Sequence, residues 1–270
     1  MFIFISILIA MSTILTLSYL SKQKRTSLKQ NFDSLVVLRE ILLLCRQHRM
    51  HTHHVLSCTH QICTNKAIDG IYDKLTLKSS QLIRNVDHQN KPMYRVFQRN
   101  LKSMHDNWQC YSTSRNQIVH GKNIRHCLFL MDEIAITWLS DSGCDDISNT
   151  YHTHWQLIFD SMEALTQLRV VIQDYHRPNG HVRIRHYCQK MSAKLNQLSM
   201  INSLILGSPK GEGSMQQLEA LGRHQNKRMT EEELYQLTSD VSLLIALAYD
   251  HVLSKVAKQL YQPLPNTVTN

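Results

Sequence analysis

Glycine and proline are scarce in this chain, 8 and 5 among 270 residues, and long stretches carry no turn punctuation at all. No alternating apolar and polar run of useful strand length appears either, so a β or α/β architecture is excluded and an all-α fold is expected. Aromatic residues make up only 7%, and no helix-turn-helix, zinc-finger or RNA-binding signature accompanies the net charge of +9. Lys and Arg cluster only between Lys22 and Lys29, which makes nucleic acid an unexpected partner. Phosphate loop, GxSxG, HExxH and dinucleotide fingerprint are all missing, so neither an enzyme nor a cofactor is expected. Asp132 and Glu133 are adjacent on a helix and point in different directions, which disqualifies them as an acid/base dyad. The seven cysteines have no framework spacing and an odd count, which fits a reduced compartment.

What is present begins with an anchor. Residues 1–20 contain no charged side chain, and as a helix they span roughly 30 Å, about the hydrocarbon thickness of a bilayer. Lys22, Lys24, Arg25 and Lys29 follow at once, while no basic residue precedes the run. The positive-inside rule then predicts a single-pass protein of the inner (cytoplasmic) membrane, its soluble part in the cytoplasm. The alternative is a cleaved signal peptide, with Ser12, Ser18 and Ser21 as its small residues, and a periplasmic location.

The hydrophobic content of 43% is ample for a core, and beyond the anchor the pattern is helix after helix. Leu35, Leu38, Leu42, Cys45, Arg49, Thr52 and Leu56 recur at gaps of three and four, and so do Asn65, Ile68, Tyr72, Leu75, Ser79, Leu82 and Val86. Pro92 opens a third helix, to about Met104, and a fourth runs from about Ser112 to Leu139. A fifth carries Ile158, Met162, Leu165, Arg169 and Ile172, and a sixth carries Ile184, Cys188, Met191, Leu195, Leu198, Asn202 and Ile205. Residues 207–213, with Pro209 and three glycines, read as the clearest loop, followed by a short helix from Ser214 to about Gln225. Thr230 with Glu233 is a capping box that opens the last helix, through Val256. The break at residues 140–149 divides the chain into a transmembrane anchor (1–21), a first helical bundle (22–145), a second helical bundle (146–262) and a tail (263–270), seven or eight helices behind the anchor.

Two seams carry a charge where a core position should be apolar. Arg49 and Arg169 interrupt them, one in each half, and Thr52 and Asn202 are the other polar seam residues. If these helices face one another, they form a positive pocket with hydroxyl and amide donors, suited to a small planar oxyanion met by guanidinium forks. The competing account pairs each arginine with a carboxylate such as Glu40, Asp132, Glu133 or Asp160, or lets it snorkel to the surface, and has Asn202 fix helix register. His48, His51, His53, His54, Cys58, His60 and Cys63 form a second cluster. Its pairs His54/Cys58 and His60/Cys63 lack a second pair to complete a four-ligand site, so no metal is expected. The histidines, with His152 and His154, instead raise the prospect of a response to pH near neutrality.

The run LLLCRQHRMHTHHVL (residues 42–56) resembles the first-helix signature of the nitrate- and nitrite-sensing (NIT) domain family. Gln47, Arg49 and Thr52 take its Gln, Arg and hydroxyl positions, and Met50 takes its glycine position. In order along the chain follow Trp108 and NIRHCLFLMDEIAITWL (123–139), Trp155 and DSMEALTQLRVV (160–171), and LYQLTSDVSLLIALAYDHVLSKV (234–256), so the resemblance spans residues 32–258. It implies a two-bundle sensory module that holds nitrate or nitrite through arginines, with Arg49 matched by motif position and Arg169 more loosely. It also implies an effector protein as partner. The alternative is a ligand-free helical scaffold that docks another protein at the membrane, its basic residues resting on anionic lipid.

Overall fold

The computed structural model describes residues 2–57, 65–86, 88–143, 145–175, 177–223, 229–261 and 263–265. Among these the regular structure is entirely helical: α1 (Phe2–Ser57), α2 (Asn65–Asn85), α3 (Lys91–Asn107), α4 (Thr113–Ser142), α5 (Asp145–Ile172), α6 (Gly180–Ile201), α7 (Leu204–Gly207), α8 (Pro209–Gly222) and α9 (Glu231–Leu260). A single 3-10 turn, Trp108–Cys110, precedes α4. The fold is all-α.

Helix α1 has 56 residues and is therefore roughly 84 Å long. Residues 3–26 are exposed along their whole length, and burial begins in earnest at Phe32. Among the described residues this is the one helix long and apolar enough to cross a membrane. The apolar segment and the core seam are thus two parts of one unbroken helix.

Four helices form the centre of the fold. Along α1 and α4, Leu38 meets Cys127, His48 meets His120 and Thr52 meets Asn116, so these two run antiparallel. Asp132 meets Tyr151 and Arg125 meets Glu163, which makes α5 antiparallel to α4. Trp155 packs on Tyr249 and Arg169 bonds Thr238, so α9 is antiparallel to α5. The ring closes through Phe32 on Tyr261, Arg39 on Asp250 and Arg49 on Ser242, which set α9 antiparallel to α1. This is an up-down four-helix arrangement. Helices α2 and α3 cover the α1/α4 side, and α6 with α8 covers α5 and α9.

The two halves expected from the sequence meet along this ring, and their buried side chains form a single cluster from Phe32 to Leu264. The seams are where periodicity puts them: Leu35, Leu38 and Cys45 are fully buried, as are Ile158, Leu165, Ile245 and the α4 stripe Ile124, Ala135 and Trp138. Two local expectations change. The break at residues 140–149 is much shorter than that span, because α4 continues to Ser142, where Gly143 ends it in the left-handed conformation at φ 66°, and α5 already begins at Asp145. Residues 207–213 are mostly helix rather than loop. Ser208 Oγ accepts from the Gly211 N–H, and Pro209 supplies a preset φ at the first helical position, so α8 starts five residues before Ser214. Gly211 is required by closeness, since a Cβ there would stand 1.7 Å from the Ile205 carbonyl oxygen.

Candidate functional site

Each of the four central helices contributes to one cavity of about 530 Å³ near the end of α1 that lies far from the apolar segment. Arg46, Arg49 and His53 come from α1, Gln117 from α4, Arg169 from α5, and Glu232, Tyr235, Thr238 and Ser242 from α9. Ligand sites in helical bundles are built this way, from side chains that project between facing helices. The two sequence-predicted arginines therefore share a wall, although they come from different halves of the chain. Both are almost wholly buried, Arg49 at 6% and Arg169 at 5% exposure.

Among the described residues neither arginine has a carboxylate partner. Arg169 Nη2 donates to the Thr238 carbonyl at 2.8 Å and its Nε to Thr238 Oγ1 at 3.1 Å, tying α5 to α9. Arg49 has a single long bond, Nη2 to Ser242 Oγ at 3.4 Å. Of the carboxylates weighed as partners, Glu40 pairs with Lys78, Asp160 with Lys194, and Asp132 accepts from the Tyr151 hydroxyl. Arg46 is also without an ion pair among the described residues, and its Nε is buried without a hydrogen-bond partner. Glu232, on the same cavity, is solvent-exposed and beyond ion-pair distance of all three.

The consequence is an uncompensated positive site. Burial, and then the charge of Arg46, pulls Arg49 down to about 9, while burial alone is the main cause that brings Arg46 to about 10. Burial followed by the charges of Arg49 and Arg46 pushes Arg169 well below the usual guanidinium range. A delocalised guanidinium keeps its proton at neutral pH even so. Three like charges then share a low-dielectric space, an arrangement that an anion would relieve. His53, whose ring packs 4.1 Å from that of Tyr235, is pulled down to about 4 by burial and then by Arg49 and Arg169, so it lines the cavity as a neutral ring.

Thr52 and Asn202 stand elsewhere. Thr52 faces α4: its Oγ1 donates to the His48 carbonyl at 2.8 Å and accepts from Asn116 Nδ2 at 3.1 Å, behind the cavity wall. Asn202 is not a seam residue, because α6 ends at Ile201 and Asn202 caps it, its Oδ1 accepting from the Leu204 N–H at 3.1 Å. The histidines divide similarly. Cys58, His60 and Cys63 lie outside the described residues, and among the described residues no group of ligating side chains is placed to hold a metal.

His48 instead joins a chain. Its Nδ1 is 2.8 Å from His120 Nε2 and its Nε2 is 3.1 Å from His105 Nδ1, while His120 Nδ1 meets the Asn116 carbonyl at 2.8 Å. A carbonyl only accepts, so for neutral rings the protons sit on all three Nδ1 atoms and the bonds run in one direction. His105 ends the chain near the surface, stacked on Tyr72 at 3.8 Å and 3.7 Å from Asp69.

The sequence seam does not include Arg46. A second stripe at the same three-four spacing, Leu43, Arg46, Met50, His53 and Ser57, lies beside it, and every member lines the cavity. That stripe was the available signal. Compared with known protein families, curated proteins and solved structures, the chain matches none.

Proposed function

We propose that this chain is a membrane-anchored helical sensory protein that binds an oxyanion group between Arg49 and Arg169 and passes the change to an effector protein. The carrying observation is that two buried guanidinium groups from separate halves line one cavity, with no carboxylate of the described residues in ion-pair reach. The resemblance to nitrate- and nitrite-sensing domains supports the same reading and names the first anions to test. An anion that draws Arg49 and Arg169 together favours one packing of α1 against α5 and α9, and such differential affinity is what a switch requires. Helix α1 runs unbroken from that cavity to the apolar segment, and by the positive-inside rule the lysines after residue 20 favour a bundle on the cytoplasmic side.

The test is thermal unfolding of the full chain in detergent, titrated with nitrate and nitrite against chloride at constant ionic strength. A ligand bound only by the native state stabilises it by about 2.7 kcal/mol at a hundred times its dissociation constant. A saturable shift that is lost in Arg49→Met supports the sensor. Identical curves in all three salts favour the scaffold reading, which has its own observation: Arg169 is already bonded twice to Thr238 and ties two helices together unaided.

A further inference from the structure

We propose that the cavity takes an organic dicarboxylate, one carboxylate held by Arg49 and Arg169, the other by Arg46, with the uncharged middle against Leu43, Met50 and Leu243. The proposal rests on the reading that Arg49 and Arg169 hold an anion, and it names the class of molecule that carries it. Size is the first argument. A cavity of about 530 Å³ falls within the roughly 300–1,000 Å³ of sites for small organic ligands. A bare inorganic oxyanion would touch only a small part of that wall.

Charge is the second. Three guanidinium groups and the single carboxylate of Glu232 line the space, which leaves two positive charges, the complement of a dianion. Their placement is the third. Arg46 and Arg49 are one turn apart on α1, with roughly 5–6 Å between their Cβ atoms, and Arg169 approaches from α5. Planar forks at two levels match two separated carboxylates better than one compact phosphate. The helix N-terminus beside the cavity argues against phosphate as well. It carries Glu231, Glu232 and Glu233, and the Thr230 and Glu233 capping box already takes up its polar groups.

The lining also holds apolar surface that a bare ion would leave wet. Met50 is 56% exposed and Leu43 37%, both on the cavity side of α1, and Leu243 comes from α9. Removing such surface from water favours a ligand with a hydrocarbon middle.

The experiment is a calorimetric titration of the full chain in detergent with succinate, glutarate and adipate. Each is paired with its monomethyl ester, with nitrate, acetate and inorganic phosphate alongside at constant ionic strength. At least one dicarboxylate is expected to bind about tenfold more tightly than its own ester and than nitrate, a difference of about 1.4 kcal/mol. Arg46→Met, at a half-buried position, should weaken the diacid about tenfold more than its ester, whereas Arg49→Met should weaken both alike. Nitrate or phosphate binding as tightly as every dicarboxylate would overturn the dicarboxylate and leave the anion site standing. A diacid that binds Arg46→Met like the parent protein overturns it too. No binding of any anion removes both proposals.

Discussion

His48 Nδ1 and His120 Nε2 lie 2.8 Å apart in the bundle core, and neither ring reaches solvent. Burial, then the neighbouring His105 and His51, pulls His48 down to about 3, and burial followed by His48 takes His120 well below its usual range. In the unfolded chain both titrate near 6.5. The unfolded state therefore binds more protons as the pH falls, so the stability due to these neutral rings is complete above 6.5 and is lost as the pH drops below it, a window that reaches about 3 for His48. Each contributes a slope of up to about 1.4 kcal/mol per pH unit in that window. Urea unfolding at pH 7.5 and 5.5, above most carboxylate titration, should show the loss, and His48→Gln should flatten it. Equal stability at the two pH values would remove this account.

Arg49 makes one long hydrogen bond and faces two other guanidinium groups. Replacing an unpaired buried charge by an apolar side chain of similar length is often neutral or stabilising. Arg49→Met should therefore unfold at equal or higher temperature in low salt, by about 1 kcal/mol, and gain less from added salt than the parent protein does. A destabilised Arg49→Met would mean that the guanidinium has a structural partner after all.

These two sites were legible to different degrees, for a physical reason. A seam reports what a helix buries, so the three-four spacing of Leu35 through Thr52 gave the inward face of the core half of α1 but not its continuity with the apolar segment. It could not report what meets that face. The His120–His48–His105 chain joins α4, α1 and α3, and the Arg39 partner Asp250 lies on α9, contacts that only the tertiary arrangement creates. Arg46 escaped because it stands beside the apolar stripe, on a mixed one of the same period in which Arg46, His53 and Ser57 are interspersed with Leu43 and Met50. Asn202 misled because spacing alone does not show that α6 stops at Ile201. At Ser208 a side-chain cap turned a glycine- and proline-rich run into a helix start.

Arg39 shows the opposite balance to Arg49. It is 5% exposed, its Nε donates to Asp250 Oδ1 at 2.6 Å, and its Nη1 donates to the Pro265 carbonyl at 2.8 Å. Asp250→Asn leaves a buried guanidinium without its counter-charge, which costs about 3–5 kcal/mol when a pair is fully buried. Asp250 keeps 24% of its side chain exposed, so the low end of that range is expected. Chemical denaturation of Asp250→Asn against the parent protein measures it, and a loss below about 1 kcal/mol would assign the pair to the surface class.

Thr230 links a helix cap to the cavity. Its Oγ1 accepts from the Glu233 N–H at 3.2 Å while Glu233 Oε2 accepts from the Thr230 N–H at 2.7 Å, fixing the first turn of α9. That turn and the next supply Glu232, Tyr235 and Gln236 to the cavity wall. Thr230→Ala removes the accepting hydroxyl and should cost about 1 kcal/mol of stability. Because the frayed turn lies on the wall, anion binding should weaken with it, which makes this variant more than a stability probe. Serine restores the hydroxyl, so Thr230→Ser is expected to keep both properties. Equilibrium unfolding together with a nitrate and dicarboxylate titration of the two variants checks this. A Thr230→Ala protein that loses stability but binds every anion as before would show that the wall is held by packing of Tyr235 and Thr238 alone, and that the cap serves only the fold.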